Sequence, residues 1–143
     1  MILDTTYLLP LVQVKVKHDL LRAIAEGRVR GIDFDKVKVS LISLFELQAK
    51  ASKLGVDPMR VYRAISVVYR NFEVIPFYEK DIIVVAHGLR GLLRDYIDRV
   101  ILATAITLKE PLVTEDRDIN RIADNIQEKY GVPILKYNSL LEQ

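Results

Sequence analysis

Cysteine is absent from the chain, which excludes disulfide frameworks and thiolate metal sites and suits a reducing compartment. No basic stretch precedes the apolar residues at the start, and Asp4 interrupts the one segment that could serve as a signal core. Uncharged runs are short: "VILATAITL" (100–108) falls far below the roughly 20 residues of a membrane span. The expectation is a soluble, cytoplasmic protein. His18 and His87 lie 69 positions apart and no HExxH pattern occurs, so no zinc site is expected. "GLRG" (88–91) has two glycines but neither the preceding strand nor the lysine of a phosphate-binding loop. No repeat, low-complexity tract or long linker breaks the chain. Its 143 residues, half of them apolar, suffice for one core, so one domain over 1–143 is expected.

Net charge is only +2, which by itself does not point to a nucleic-acid binder. If four of the 19 acids gather at one site, however, 21 basic residues face 15 acids over the rest of the surface, and an acidic pocket sits in basic surroundings.

What the chain does contain is an alternation. Residues 1–4, "VKVSLIS" (37–43), "FEVIPF" (72–77), "PLVT" (111–114) and "VPIL" (132–135) read as buried strands. Helical spacing fills the intervals. Leu44, Leu47, Ala51 and Leu54 share one face of a segment over 44–54, which Gly55 stops. Asp57 followed by Pro58 opens a helix to about Arg70. Further helices are expected over 79–90, 96–109 and 117–130, the last with Ile119, Ile122, Ala123 and Ile126 in phase. Strands separated by helices imply right-handed crossovers. The fold class is therefore α/β: a three-layer α/β/α domain around a mostly parallel sheet of about five strands.

In such a sheet, ligands bind beyond the carboxyl ends of the strands. Asp4 ends the first strand, Glu46 follows the second by three residues, and Asp116 and Asp118 follow the fourth. Asp95 and Asp98 open the helix leading into that fourth strand. Each acid has an ordinary structural reading. Asp95, Asp98 and Asp116 suit helix N-termini, and Glu46 can pair with Lys50 one turn on. Asp4 is harder to explain that way, since a carboxylate at a buried strand end is costly unless it meets a cation or several donors. Crowded carboxylates without His or Cys select Mg²⁺ or Mn²⁺, and such a site serves phosphodiester hydrolysis.

"ILDTTYLL" (2–9), "VSLISLFEL" (39–47) and "DRVILATAITLKEPLVTEDRDI" (98–119), in this order in a chain near 140 residues, resemble the PIN domain. By size the chain is similar to the VapC ribonuclease toxins of toxin–antitoxin pairs. The resemblance places the family's four acids on Asp4, Glu46, Asp98 and Asp116, with Asp118 an auxiliary acid and Thr5 and Thr114 at small hydroxyl positions. Asp98 matches better than Asp95 because "ILATA" (101–105) starts three residues later, with Leu102 where Ala is commoner. The resemblance implies an Mg²⁺- or Mn²⁺-dependent endoribonuclease acting on single-stranded RNA, with Asp4, Glu46, Asp98, Asp116 and Asp118 as metal ligands. It also implies a homodimer, for which the broadly apolar helix beginning at Pro58, with its neighbour over 44–54, is the candidate surface, and a cognate antitoxin that blocks the acidic pocket. An RNA-processing nuclease outside a toxin pair and a non-catalytic binding module are the alternatives. Lys50 and Lys53, and then Arg60, Arg63 and Arg70, are candidate RNA contacts. Aspartyl-phosphate chemistry fits poorly: "EVIPF" ends without an acid, and position 6, two past Asp4, is Thr.

Overall fold

Five short runs of Val, Ile and Leu pair into one sheet in the computed structural model, which describes residues 1–141. The strands are β1 (Ile2–Leu3), β2 (Lys38–Ser40), β3 (Glu73–Ile75), β4 (Leu112–Val113) and β5 (Ile134–Leu135). Their order is β3-β2-β1-β4-β5, and every pairing among the described residues is parallel. The chain winds outward from β1 through β2 to β3, then returns to place β4 on the other side of β1. The winding direction thus reverses between β1 and β4, and a crevice opens at their carboxyl ends.

The helices are α1 (Leu20–Ala25), α2 (Leu41–Lys53), α3 (Pro58–Asn71), α4 (Lys80–Gly88), α5 (Tyr96–Leu108), α6 (Arg117–Arg121), α7 (Ala123–Tyr130) and α8 (Tyr137–Leu141). Two cores lie on opposite faces of the sheet. Leu3, Val39 and Val113 pack with Tyr7, Leu8, Leu20, Leu47 and Val68 on one side. Ile2 and Leu112 pack with Ile82, Leu89, Ile101, Leu102, Ile119 and Ile126 on the other. Successive strand residues thus serve opposite layers, as the two-residue period of a strand requires. None of the helices is long and apolar enough to cross a membrane among the described residues.

Several boundaries differ from expectation. The second strand ends at Ser40, whose hydroxyl accepts from Ile42 N–H at 3.3 Å and caps α2 three residues earlier than its apolar spacing suggests. Glu46 therefore sits in the second turn of α2. The single helix expected over 117–130 is two helices: Ile122 N–H bonds to Ile119 O, only three residues back, and the helical ladder is interrupted there. Residues 5–36, for which sequence periodicity offers no assignment, hold a 3₁₀ helix (Thr5–Val12), α1 and a 3₁₀ turn (Phe34–Lys36).

Candidate metal centre

Asp4 is the innermost acid. It follows β1 directly, and its own N–H bonds to Val113 O of β4 at 3.1 Å, so the two strands fix its backbone. The side chain is 7% exposed. One oxygen accepts from Thr5 N–H at 2.7 Å and the other from the Thr114 hydroxyl at 2.5 Å. Burial pushes its carboxyl above the usual value, with nearby Glu46 adding to the effect, while these two donors and Lys50 oppose it.

Thr114, fully buried, also accepts from Asp116 N–H at 3.0 Å. Its single hydroxyl thereby links the ends of β1 and β4 and sets the first turn of α6. Asp116 caps that helix by accepting from Ile119 N–H at 3.0 Å. Asn120 fastens the same loop from below, donating to Thr114 O at 3.0 Å and to Asp116 O at 2.7 Å.

Two longer helices bring the remaining acids. Asp95 caps α5, accepting from Asp98 N–H at 3.2 Å, which turns Asp98 toward the crevice in the first turn. Glu46 projects from α2 beside Lys50, 4.0 Å away. Asp4, Glu46, Asp98 and Asp116 thus line a single cleft of about 340 Å³ together with Thr6, Lys50, Asp95 and Glu115. Among the described residues, Asp4, Asp98 and Asp116 have no ion-pair partner. Burial, then Asp116, Asp95, Asp4 and Glu46 in that order, raise the Asp98 carboxyl from 3.8 to about 7. The α5 N-terminus favours an anion, yet burial and crowding prevail. The acids share the cleft without closing into a coordination sphere, since no three of them stand at ligand spacing among the described residues. An uncompensated set of carboxylate oxygens with one lysine fits a hard divalent cation.

Asp118 is the expected ligand that does not reach this cleft. It is exposed and paired with Arg121 at 3.0 Å, three residues along the same helix. Arg99 and Arg117, which adjoin site acids in sequence, form no ion pair with them. Glu115 also reaches the cleft, from "TEDRD" between β4 and α6, where no strand end or helical phase marks it as a site residue. Its carboxylate is held from behind by the Tyr7 hydroxyl at 3.0 Å, by Tyr137 N–H at 3.1 Å and by His18 Nε2 at 3.4 Å. Burial and the adjacent Glu115 push the Tyr7 hydroxyl well above its ordinary range, so it stays a donor. The partners of Glu115 come from residues 7, 18 and 137, and nothing in the local sequence announces them. A larger, mainly apolar groove of about 710 Å³ lies between α2 and α3, lined by Phe45, Ala49, Val56, Val61, Tyr62 and Ile65. Asp57 is the one carboxylate on its lining, so the acidic groups are concentrated in the smaller cleft.

A parallel α/β sheet with an acidic cleft at its switch point defines the class of fold. The sequence model of the PIN domain matches residues 1–125, and the chain belongs to the PIN domain family. Solved structures share the fold at low identity. A toxin–antitoxin complex from Klebsiella pneumoniae is 22% identical, with 82% of this chain and 88% of that one covered and a TM-score of 0.60. VapBC2 from Rickettsia felis, bound to a DNA fragment from its promoter, is 18% identical, with coverage of 94% and 96% and a TM-score of 0.65. FitAcB from Neisseria gonorrhoeae is 16% identical, with coverage of 97% and 99% and a TM-score of 0.67. No curated protein matches the chain in sequence.

Two substitutions test this geometry. Thr114→Val removes the donor to Asp4 and the acceptor for Asp116 N–H, and should cost about 1–3 kcal/mol in chemical denaturation while Thr114→Ser costs far less. The Asp98 proton is held more tightly in the folded chain than in the unfolded one. Asp98 therefore costs stability as pH rises from 3.8 to about 7. With EDTA present, the melting temperature of Asp98→Asn should exceed that of the wild type by a margin that widens across that window. A margin constant between about pH 4 and 8 contradicts the crowding.

Proposed function

We propose that the chain is an Mg²⁺- or Mn²⁺-dependent endoribonuclease that cleaves single-stranded RNA, acting in the cytoplasm as the toxin of a VapBC-type pair. The observation that carries this reading is the convergence of Asp4, Glu46, Asp98 and Asp116, from four separate elements, on one cleft where, among the described residues, three of them lack an ion-pair partner. Asp4, Asp98 and Asp116 would hold the cation, directly or through water, with Glu46 on the same cleft. When bound, the cation neutralises the carboxylates and polarises a phosphodiester oxygen. Thr114 orients the Asp4 carboxylate and Thr5 N–H fixes its other oxygen. Glu46 orients the attacking water and accepts its proton, and Lys50 beside it contacts the phosphate backbone. Asp118, placed outward, has no direct part in this arrangement.

The toxin assignment draws on one fold neighbour, from Klebsiella pneumoniae, that is itself a toxin–antitoxin complex. The antitoxin of this chain covers the acidic cleft. The homodimer uses α3, which buries only Ala64 and Val68 and leaves Met59, Tyr62 and Tyr69 more than half exposed. Met59, Tyr62 and Tyr69 follow one another at helical spacing along that face.

Cleavage of mixed-sequence single-stranded RNA should require Mg²⁺ or Mn²⁺ and stop with EDTA. Asp4→Asn and Asp98→Asn should each lose more activity than the roughly 10–100-fold that removal of an outer partner costs, with the fold retained by circular dichroism. Wild-type rates in the double variant would refute the proposal. Light scattering at micromolar concentration should give twice the 16.4 kDa chain mass; a monomer removes the homodimer.

A further inference from the structure

The N-terminus of α5 carries two adjoining faces. Asp95 and Asp98 line the acidic cleft. One step round the helix, the Tyr96 ring is 45% exposed. It is not a loose side chain. The Arg99 guanidinium lies over the ring at 5.3 Å from its centroid, and the His87 ring meets it edge-on at 5.7 Å and 85°. Arg99 is itself fixed, donating to Arg94 O at 3.0 Å in the loop that enters α5. Arg90 and Arg94 are exposed in that loop. Among the described residues, Arg90, Arg94 and Arg99 form no ion pair, although Asp95 and Asp98 are near in sequence.

A half-open aromatic ring stacked on Arg99, next in the chain to the cleft residue Asp95 and following a loop with the exposed Arg90 and Arg94, has a chemistry of its own. Bases of single-stranded RNA are unstacked and rest readily on aromatic faces or guanidinium planes, and the accompanying phosphates are met by arginine. A carboxylate-lined cleft alone repels a polyanion, so positive charge at its rim is what allows a strand to approach. Cation–π contact with Arg99 and the edge of His87 hold the ring in one orientation before any ligand arrives.

We propose that Tyr96, held by His87 and Arg99, is a stacking platform for a nucleobase next to the scissile phosphodiester, and that Arg90 and Arg94 contact the flanking phosphates. This rests on the nuclease reading of the cleft. Stacking tolerates every base, so the platform sets how the strand sits and where it is cut relative to its unpaired bases, without selecting a sequence.

The test uses the Asp4→Asn protein, which binds without turnover, and a fluorescent mixed-sequence single-stranded RNA followed by anisotropy. Adding Tyr96→Ala should weaken binding about 5- to 100-fold, whereas Tyr96→Trp or Tyr96→Phe keeps it near the parent value. Joint Arg90→Ala and Arg94→Ala should flatten the dependence of log Kd on log salt by roughly 1.4 units, about 0.7 for each phosphate contact removed. In the otherwise wild-type chain, Tyr96→Ala should shift the positions of cuts on a long RNA. If the wild type cleaves RNA and Tyr96→Ala binds and cuts identically, the platform is wrong and the nuclease reading stands. A Tyr96-dependent RNA affinity in a protein that cuts no RNA keeps the platform and overturns the nuclease reading. If Tyr96→Ala changes the oligomeric state and leaves RNA affinity untouched, the surface belongs to a protein interface and the proposal is overturned.

Discussion

The hydrogen bond from Thr114 to Asp4 joins two chain segments 110 residues apart at the one place where the sheet reverses its winding. Neither residue could reach the other without β1 and β4 in register, Ile2 against Leu112 and Leu3 against Val113. The same hydroxyl accepts from Asp116 N–H, so the positions of two cleft acids depend on it. A buried carboxylate is tolerated here because both its oxygens have donors. Those donors only partly offset burial, and the carboxyl stays harder to ionise than a free one.

That residual cost is informative about what the cleft is for. A chain selected for stability alone would replace Asp98 or Asp116 with neutral residues, since caps such as Ser or Asn serve a helix N-terminus as well. The protein instead keeps Asp98 buried and crowded by Asp116, Asp95, Asp4 and Glu46, which together raise its carboxyl to about 7. Strain of this kind marks functional sites more often than structural ones.

The fold was legible where local chemistry decides structure. The five strands announce themselves as Val, Ile and Leu runs, and Asp57-Pro58, Asp95 and Asp116 declare helix starts that the structure places at α3, α5 and α6. It was illegible where tertiary contacts decide. The 3₁₀ helix after Asp4 contains Pro10, shows no helical period and is tied down through Tyr7 to Glu115 far along the chain. The break at Ile122 interrupts a run whose isoleucines are in phase throughout, so no apolar pattern could reveal it. The site divides likewise. Asp4, Glu46, Asp98 and Asp116 occupy strand ends or early helix turns, which topology alone gathers at one edge. Glu115 and the outward turn of Asp118 depend on partners distant from the local pattern or set by side chains: the Tyr7 and His18 side chains and the Tyr137 N–H for one, Arg121 for the other.

Helix α2 connects the surfaces of the molecule. At 100° per residue its side chains fall into three arcs. Leu44, Leu47 and Ala51 enter the core, Glu46 and Lys50 line the acidic cleft, and Phe45, Gln48, Ala49 and Ser52 line the apolar groove against α3. Core burial fixes the rotation of the helix, and that rotation simultaneously aims Glu46 and presents the groove. A partner seated in the groove cannot turn α2 toward itself without withdrawing Glu46 from Asp4. Rolling the helix by one residue would put Phe45 near the place of Glu46 and pull Leu47 from a fully buried position, a loss of about 1.5–3 kcal/mol for the leucine alone. Any coupling between groove and cleft must therefore act through small displacements of a rigid helix, with Leu47 and Ala51 as the pivot.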